Sequence, residues 1–204
     1  MSEEQSIDDV LEDKLADTVA DSTDVAVFDS LDTIQGYVGA DFGKNKDHYL
    51  SRIAEAHGMT KEEMAKTVSV DQQLQWTYEL LQEGKLVPRI LSGVEDLLTV
   101  YIERGVRPVV LTADIQGSAD LVTAPLVKKG LLRKQDVHGI HPASKKDPNT
   151  WTEQLERYVP NANVVAIYED TQANLDAAVK GYKCPGYLVK ETPSGITCVP
   201  YTAK

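Results

Sequence analysis

Five polar side chains stand at or just past the ends of apolar runs, and a lysine-bearing loop adds a sixth. Asp29 follows VAVF and Thr33 lies four residues on; Thr112 closes RPVVLT (107–112); Glu169 and Asp170 close NVVAIYED (163–170); Lys145 sits in SKKDPNTW (144–151). Carboxylate oxygens hold a hard cation, while a lysine and hydroxyls neutralise a transferring phosphoryl group. Each acid taken singly has an ordinary explanation, since acids after strands often cap helices. Taken together they describe a magnesium and phosphate site, provided one fold brings the ends of these runs together.

The elements between them predict such a fold. VAVFD, RPVVLT, NVVAIYED and PGYLV (185–189) are short and rich in Val, Ile and Leu. They alternate with helical stretches at 91–105, 119–130, 147–159 and 171–181, three of which stop at or beside glycine. Strands buried on both faces and separated by helices imply an α/β class, a doubly wound parallel sheet with right-handed crossovers. In such a sheet, groups just past the strand ends converge in one crevice.

One interval breaks the rhythm. Between the first and second strands the pattern is mostly helical, including HYLSRIAEAHG (48–58) and SVDQQLQWTYELLQEGK (69–85), which is far more than a single crossover needs. Residues 36–85 are therefore expected to form a helical insertion over the strand ends, with the core drawn from 23–35 and 86–204. GYVGADFGKN (36–45) approaches a nucleotide-binding loop but is one residue short, and Asn45 replaces the Ser or Thr that would meet Mg²⁺. A flexible connection through Gly36, Gly39 and Gly43 is the better reading.

Composition narrows the partners. The 204 residues carry a net charge of −11, but residues 1–24 hold nine acids against Lys14, so the rest of the chain carries only −3. A body so nearly neutral, without a basic stripe, argues against nucleic acid. Neither a charged leader with an apolar core nor an apolar run near the roughly 20 residues of a membrane span is seen, so no membrane contact and a cytoplasmic location are expected. Cys184 and Cys198 are expected to be free thiols. Residues 1–22 read as an acidic tail in which Ile7, Val10, Leu11, Leu15 and Val19 fall near helical spacing, a candidate docking element for a protein partner.

Taken in order, the motifs resemble those of the haloacid dehalogenase superfamily. FDSLDTI is similar to that family's DxDxT motif through Asp29 and Thr33; VVLTAD offers Thr112 for the second motif; SKKDPNTW offers Lys145 for the third; IYEDTQANLDAA offers Asp170 and Asn174 for the fourth. The insertion falls where the family carries a C1-type helical cap. The resemblance implies that Asp29 is a nucleophile forming an aspartyl intermediate with a small phosphorylated substrate. It implies Mg²⁺ held by Asp29, Asp170 and the carbonyl of Leu31, with Asn174 or Glu169 in support. It further implies phosphate contacts from Thr112 and Lys145, with Thr33 and Asn174 on the substrate side.

Leu31 departs from the family pattern, because phosphatases of this kind carry there the acid that protonates the leaving alcohol. A positioned acid or base contributes about 10²- to 10⁴-fold in rate, so alkyl phosphates are expected to react poorly. Asp32 is adjacent, but neighbours on an extended segment face opposite ways, and reaching the site requires a local irregularity. The resemblance leaves open a dehalogenase or phosphonatase chemistry and a non-catalytic binding role. Asp170 weighs against dehalogenation, which needs no metal.

Overall fold

The computed structural model describes residues 15–202. Its centre is a six-stranded sheet in the order β5-β4-β1-β6-β7-β8. The strands are β1 (Asp24–Phe28), β4 (Arg107–Thr112), β5 (Val137–Gly139), β6 (Asn163–Glu169), β7 (Gly186–Thr192) and β8 (Gly195–Tyr201). The first five in sequence run parallel and β8 returns antiparallel along β7.

The sheet is buried on both faces, as its apolar strands require. Along β1, Ala26 and Phe28 face one layer, α4 (Val94–Glu103) and α5 (Gln116–Lys128), through Leu98, Ile102 and Leu126. Val25 and Val27 face the other, α6 (Pro148–Tyr158) and α7 (Gln172–Tyr182), through Trp151, Leu155 and Leu175. This two-residue alternation with helices on each side is the doubly wound α/β architecture. The helices appear where the pattern places them, within the few residues by which ends fray. β5 and β8, both at sheet edges, were not among the expected strands.

A second, two-stranded antiparallel sheet pairs β2 (Gln35–Tyr37) with β3 (Pro88–Ile90). Between these strands lie α1 (Asn45–Ala56), α2 (Lys61–Thr67) and α3 (Val70–Gln82). They have their own apolar cluster, in which Ile53, Met64, Leu80 and Leu86 meet Tyr37 and Val122 of α5. The Thr60 hydroxyl accepts from the Glu63 N–H and the Glu63 carboxylate accepts from the Thr60 N–H, so α2 starts on a full capping box. Gly36 has an ordinary φ and serves a different purpose from the expected flexibility: a Cβ there would lie 2.4 Å from Asn45 Oδ1. Its lack of a side chain lets α1 sit against β2.

Of the apolar positions in the acidic segment, Val19 is buried in the core and Leu15 packs on it. Ile7, Val10 and Leu11 lie outside the described residues, as does most of the segment proposed to meet a partner. Among the described residues no helix is long and apolar enough to cross a membrane. Cys184 and Cys198 are free thiols.

His138 on β5 is buried, stacks on Tyr158 at 4.2 Å, and leaves Nε2 without a partner. Burial pushes its pKa from 6.5 to about 4, with Arg107 acting the same way and Asp136 opposing. Below pH 6.5 the unfolded chain therefore takes up a proton that the folded protein refuses until about pH 4, so stability falls as pH drops through this window. His138→Phe keeps the stacked ring without the titration. Urea unfolding at pH 7 and pH 5 is expected to show a smaller acid loss in the variant; an equal loss in both proteins would exclude His138 as its source.

Candidate active site

Parallel pairing sets the geometry. Phe28 of β1 lies opposite Tyr168 of β6, so the next residue on each strand, Asp29 and Glu169, leaves the sheet at adjacent tips. Ring stacking fixes those tips, with Phe28 on Tyr168 at 4.8 Å and Tyr168 on Tyr187 at 4.8 Å. The Asp29 N–H donates to the Tyr168 carbonyl at 2.9 Å.

Two buried carboxylates side by side need a cation, and Lys145 supplies it. Its ammonium donates to Asp29 Oδ1 at 2.6 Å and lies 2.5 Å from Glu169 Oε2. Pro148 starts α6 and Asp147 caps it, which fixes the loop holding Lys145. Trp151, one turn into that helix, donates its indole N–H to the Lys145 carbonyl at 2.7 Å, and its ring lies 4.8 Å from the ammonium. Lys146, its neighbour in sequence, is exposed. The other Glu169 oxygen accepts from the Thr171 N–H at 3.2 Å and from Asn174 Nδ2 at 3.3 Å. Asn174 thus reaches the site through Glu169.

Oxygens of Asp29, Glu169 and Asp170 lie within 4.8 Å of one another. Burial and then Glu169 push the Asp29 carboxyl up to about 6 against the pull of Lys145. Burial and then Asp29 push Asp170 up to about 9. Burial alone would lower the Lys145 pKa, but the two carboxylates beside it hold it above the ordinary lysine value. The rise at both Asp29 and Asp170 reflects acidic groups crowded into one buried site, which is the environment a hard divalent cation satisfies.

Above this cluster lies a cavity of about 180 Å³ lined from the core by Asp29, Leu31, Thr112, Lys145, Asp170 and Asn174, among others. Its other wall comes from the insertion, through Tyr37, Lys46, Tyr49, Leu74 and Thr77. Thr33 is the one expected site residue that the structure does not bring here: it is buried beneath the turn with its hydroxyl unpaired, and it lies outside the cavity lining. Asp114, not among the expected site residues, does line the cavity, and burial pushes its carboxyl up to about 6. Its place two residues past the β4 tip is the signal that would have found it. Tyr37 and Tyr49 carry no such signal, because their arrival depends on how the insertion docks.

No family model and no curated protein matches the chain. Solved structures do. A haloacid dehalogenase (HAD) hydrolase of family IA, variant 3, from Entamoeba histolytica superposes with a TM-score of 0.54 at 10% identity, over 80% of this chain and 82% of that one. CbbY from Rhodobacter sphaeroides, solved in complex with phosphate, gives a TM-score of 0.54 at 14% identity, over 80% and 84%. The fold is that of the HAD hydrolases. At such identities the likeness speaks for the fold alone.

Lys145→Met leaves Asp29 and Glu169 buried without their cation, and removing one partner of a buried ion pair costs about 3–5 kcal/mol. Adding Glu169→Gln is expected to recover part of that loss in urea unfolding at neutral pH. Wild-type stability in Lys145→Met would show that the three groups are not held as an ion cluster.

Proposed function

We propose that the protein is a Mg²⁺-dependent phosphohydrolase or phosphotransferase that acts on a small phosphorylated molecule through an aspartyl-phosphate at Asp29. The observation that carries this reading is the buried Asp29–Lys145–Glu169 bridge at the floor of a cavity that Asp170 and Thr112 also line. The donor set fits a hard cation. Asp29, Asp170 and the Leu31 carbonyl would hold Mg²⁺, with Glu169 and Asn174 in support, and the bound ion would neutralise charge on the phosphoryl oxygens.

The side chains have separate tasks. Asp29 attacks phosphorus through a carboxylate oxygen, and the bond from phosphorus to the leaving oxygen breaks. Lys145 orients Asp29 and, with the Thr112 hydroxyl, receives the phosphoryl oxygens, so that positioning and charge neutralisation supply most of the rate. Helices α1–α3, in the segment 36–85, serve as a cap that shuts out water and selects the substrate through Tyr37, Lys46 and Tyr49. A cavity of about 180 Å³ lies below the roughly 300–1,000 Å³ of sites for drug-sized ligands, which favours a phosphoryl group on a small carrier. Leu31 gives no proton, so departure of a poor leaving group depends on another residue.

The test is hydrolysis of para-nitrophenyl phosphate. Turnover is expected to require Mg²⁺, to stop on chelation, and to fall to background in Asp29→Asn, with one phosphoryl group trapped on Asp29 of the wild type by rapid quench and mass analysis. Turnover that survives Asp29→Asn would sink the proposal.

A further inference from the structure

The departure at position 31 has a counterpart one residue on. Leu31 packs on the apolar cluster of the insertion. At Asp32 the backbone leaves its extended path with a φ of 60°, a left-handed conformation uncommon for residues with a Cβ but tolerated by aspartate better than most. The turn is closed by the Asp32 N–H donating to the Gln35 carbonyl at 2.9 Å and by the Ile34 N–H donating to the Ser30 carbonyl at 2.9 Å. This turn removes the alternation of an extended strand, and Leu31 and Asp32 both line the cavity with Asp29 and Asp170.

The carboxylate is also held. Asn45 Nδ2 donates to Asp32 Oδ1 at 2.6 Å. The Asn45 amide is fully buried and its orientation is determined on both sides, since Oδ1 accepts from the Tyr37 N–H at 2.8 Å and Nδ2 also donates to Glu191 Oε2 at 3.0 Å. A flipped amide would set its oxygen against two carboxylates. Among the described residues, Asp32 Oδ2 takes no hydrogen bond.

We infer that Asp32 is the general acid and base of this site, standing in for the acid absent at position 31, and that Asn45 is the residue that positions it. The inference rests on the reading of Asp29 as nucleophile. In the first half-reaction Asp29 takes the phosphoryl group while the Asp32 carboxyl gives its proton to the departing alkoxide oxygen. In the second, the Asp32 carboxylate takes a proton from water as the water oxygen attacks phosphorus. The phosphorus–Asp29 bond breaks, inorganic phosphate leaves, and Asp32 is protonated again. Asp114 is the rival, lining the same cavity from the β4 tip, but its Oδ1 is engaged by the Ile115 N–H at 2.8 Å at the start of α5.

Substrates of unequal leaving group separate the roles. With para-nitrophenyl phosphate, which needs no proton on departure, Asp32→Asn is expected to release a burst of about one nitrophenol per enzyme. A steady state about 10²- to 10⁴-fold below wild type follows, with phosphoryl-Asp29 accumulating. With ethyl phosphate the burst is expected to vanish. Wild-type turnover in Asp32→Asn without a burst, or a burst in Asp114→Asn instead, would overturn the assignment. Absence of any phosphoryl-Asp29 in the wild type would instead remove the nucleophile reading, and this inference with it.

Discussion

The Lys145 ammonium, set between Asp29 and Glu169, is the interaction on which the rest of the site depends. Register between β1 and β6 forces the two carboxylates to adjacent strand tips, where Glu169 raises the cost of ionising Asp29. One cation within 2.6 Å of both makes the arrangement tenable. Buried ion clusters seldom stabilise a fold, and replacing one with apolar groups of like volume is often neutral or favourable by about 1–4 kcal/mol. The cluster therefore has to be offset elsewhere, and the neighbouring residues do so: Val25, Ala26, Val27 and Phe28 are at most 1% exposed, and three stacked rings clamp the strand ends directly beneath the charges.

Much of this was legible in the sequence because it follows from local rules. Strand tips in a parallel sheet converge, so Asp29, Thr112, Glu169 and Asp170 were found from apolar runs alone, whereas Lys145 was singled out only by the resemblance of SKKDPNTW to the family's third motif. What escaped has physical reasons. Helix α2 buries only Met64 and so has no apolar stripe, although Thr60 and Glu63 spelled its capping box. Strand β8 contains Pro200, which argues against a strand until one sees that β8 is at an edge, where a missing N–H is harmless. β5 is three residues long, too short for any periodicity.

Thr33 and Asp32 show the limit of motif spacing. The spacing from Asp29 to Thr33 is that of the family, yet Thr33 turns inward, away from the cavity. The alternation that would have turned Asp32 away holds only for extended backbone, and the chain is not extended there. Four residues after a strand, a single dihedral decides which side chain lines the cavity, and no local sequence rule reports that dihedral.

The same turn joins chemistry to closure. Asn45 is the first residue of α1, and one buried amide ties it to Asp32, to the β2 backbone at Tyr37 and to Glu191 of β7. Glu191 is paired in turn with Arg89 of β3, whose Nε donates to the Tyr37 carbonyl. The strand leading into the insertion is thus fastened to the core through Asn45 and the strand leading out through Arg89, and both meet at Glu191. Lifting the insertion would break the Asn45 bond and open the cavity in a single movement. The proposed acid is thus held by the same insertion whose Tyr37, Tyr49 and Leu74 wall the cavity. Position 31, on the cluster that seats the insertion, then favours an apolar side chain: Leu31 adds to the packing that holds the insertion down, and the proposed proton chemistry sits one residue along the chain.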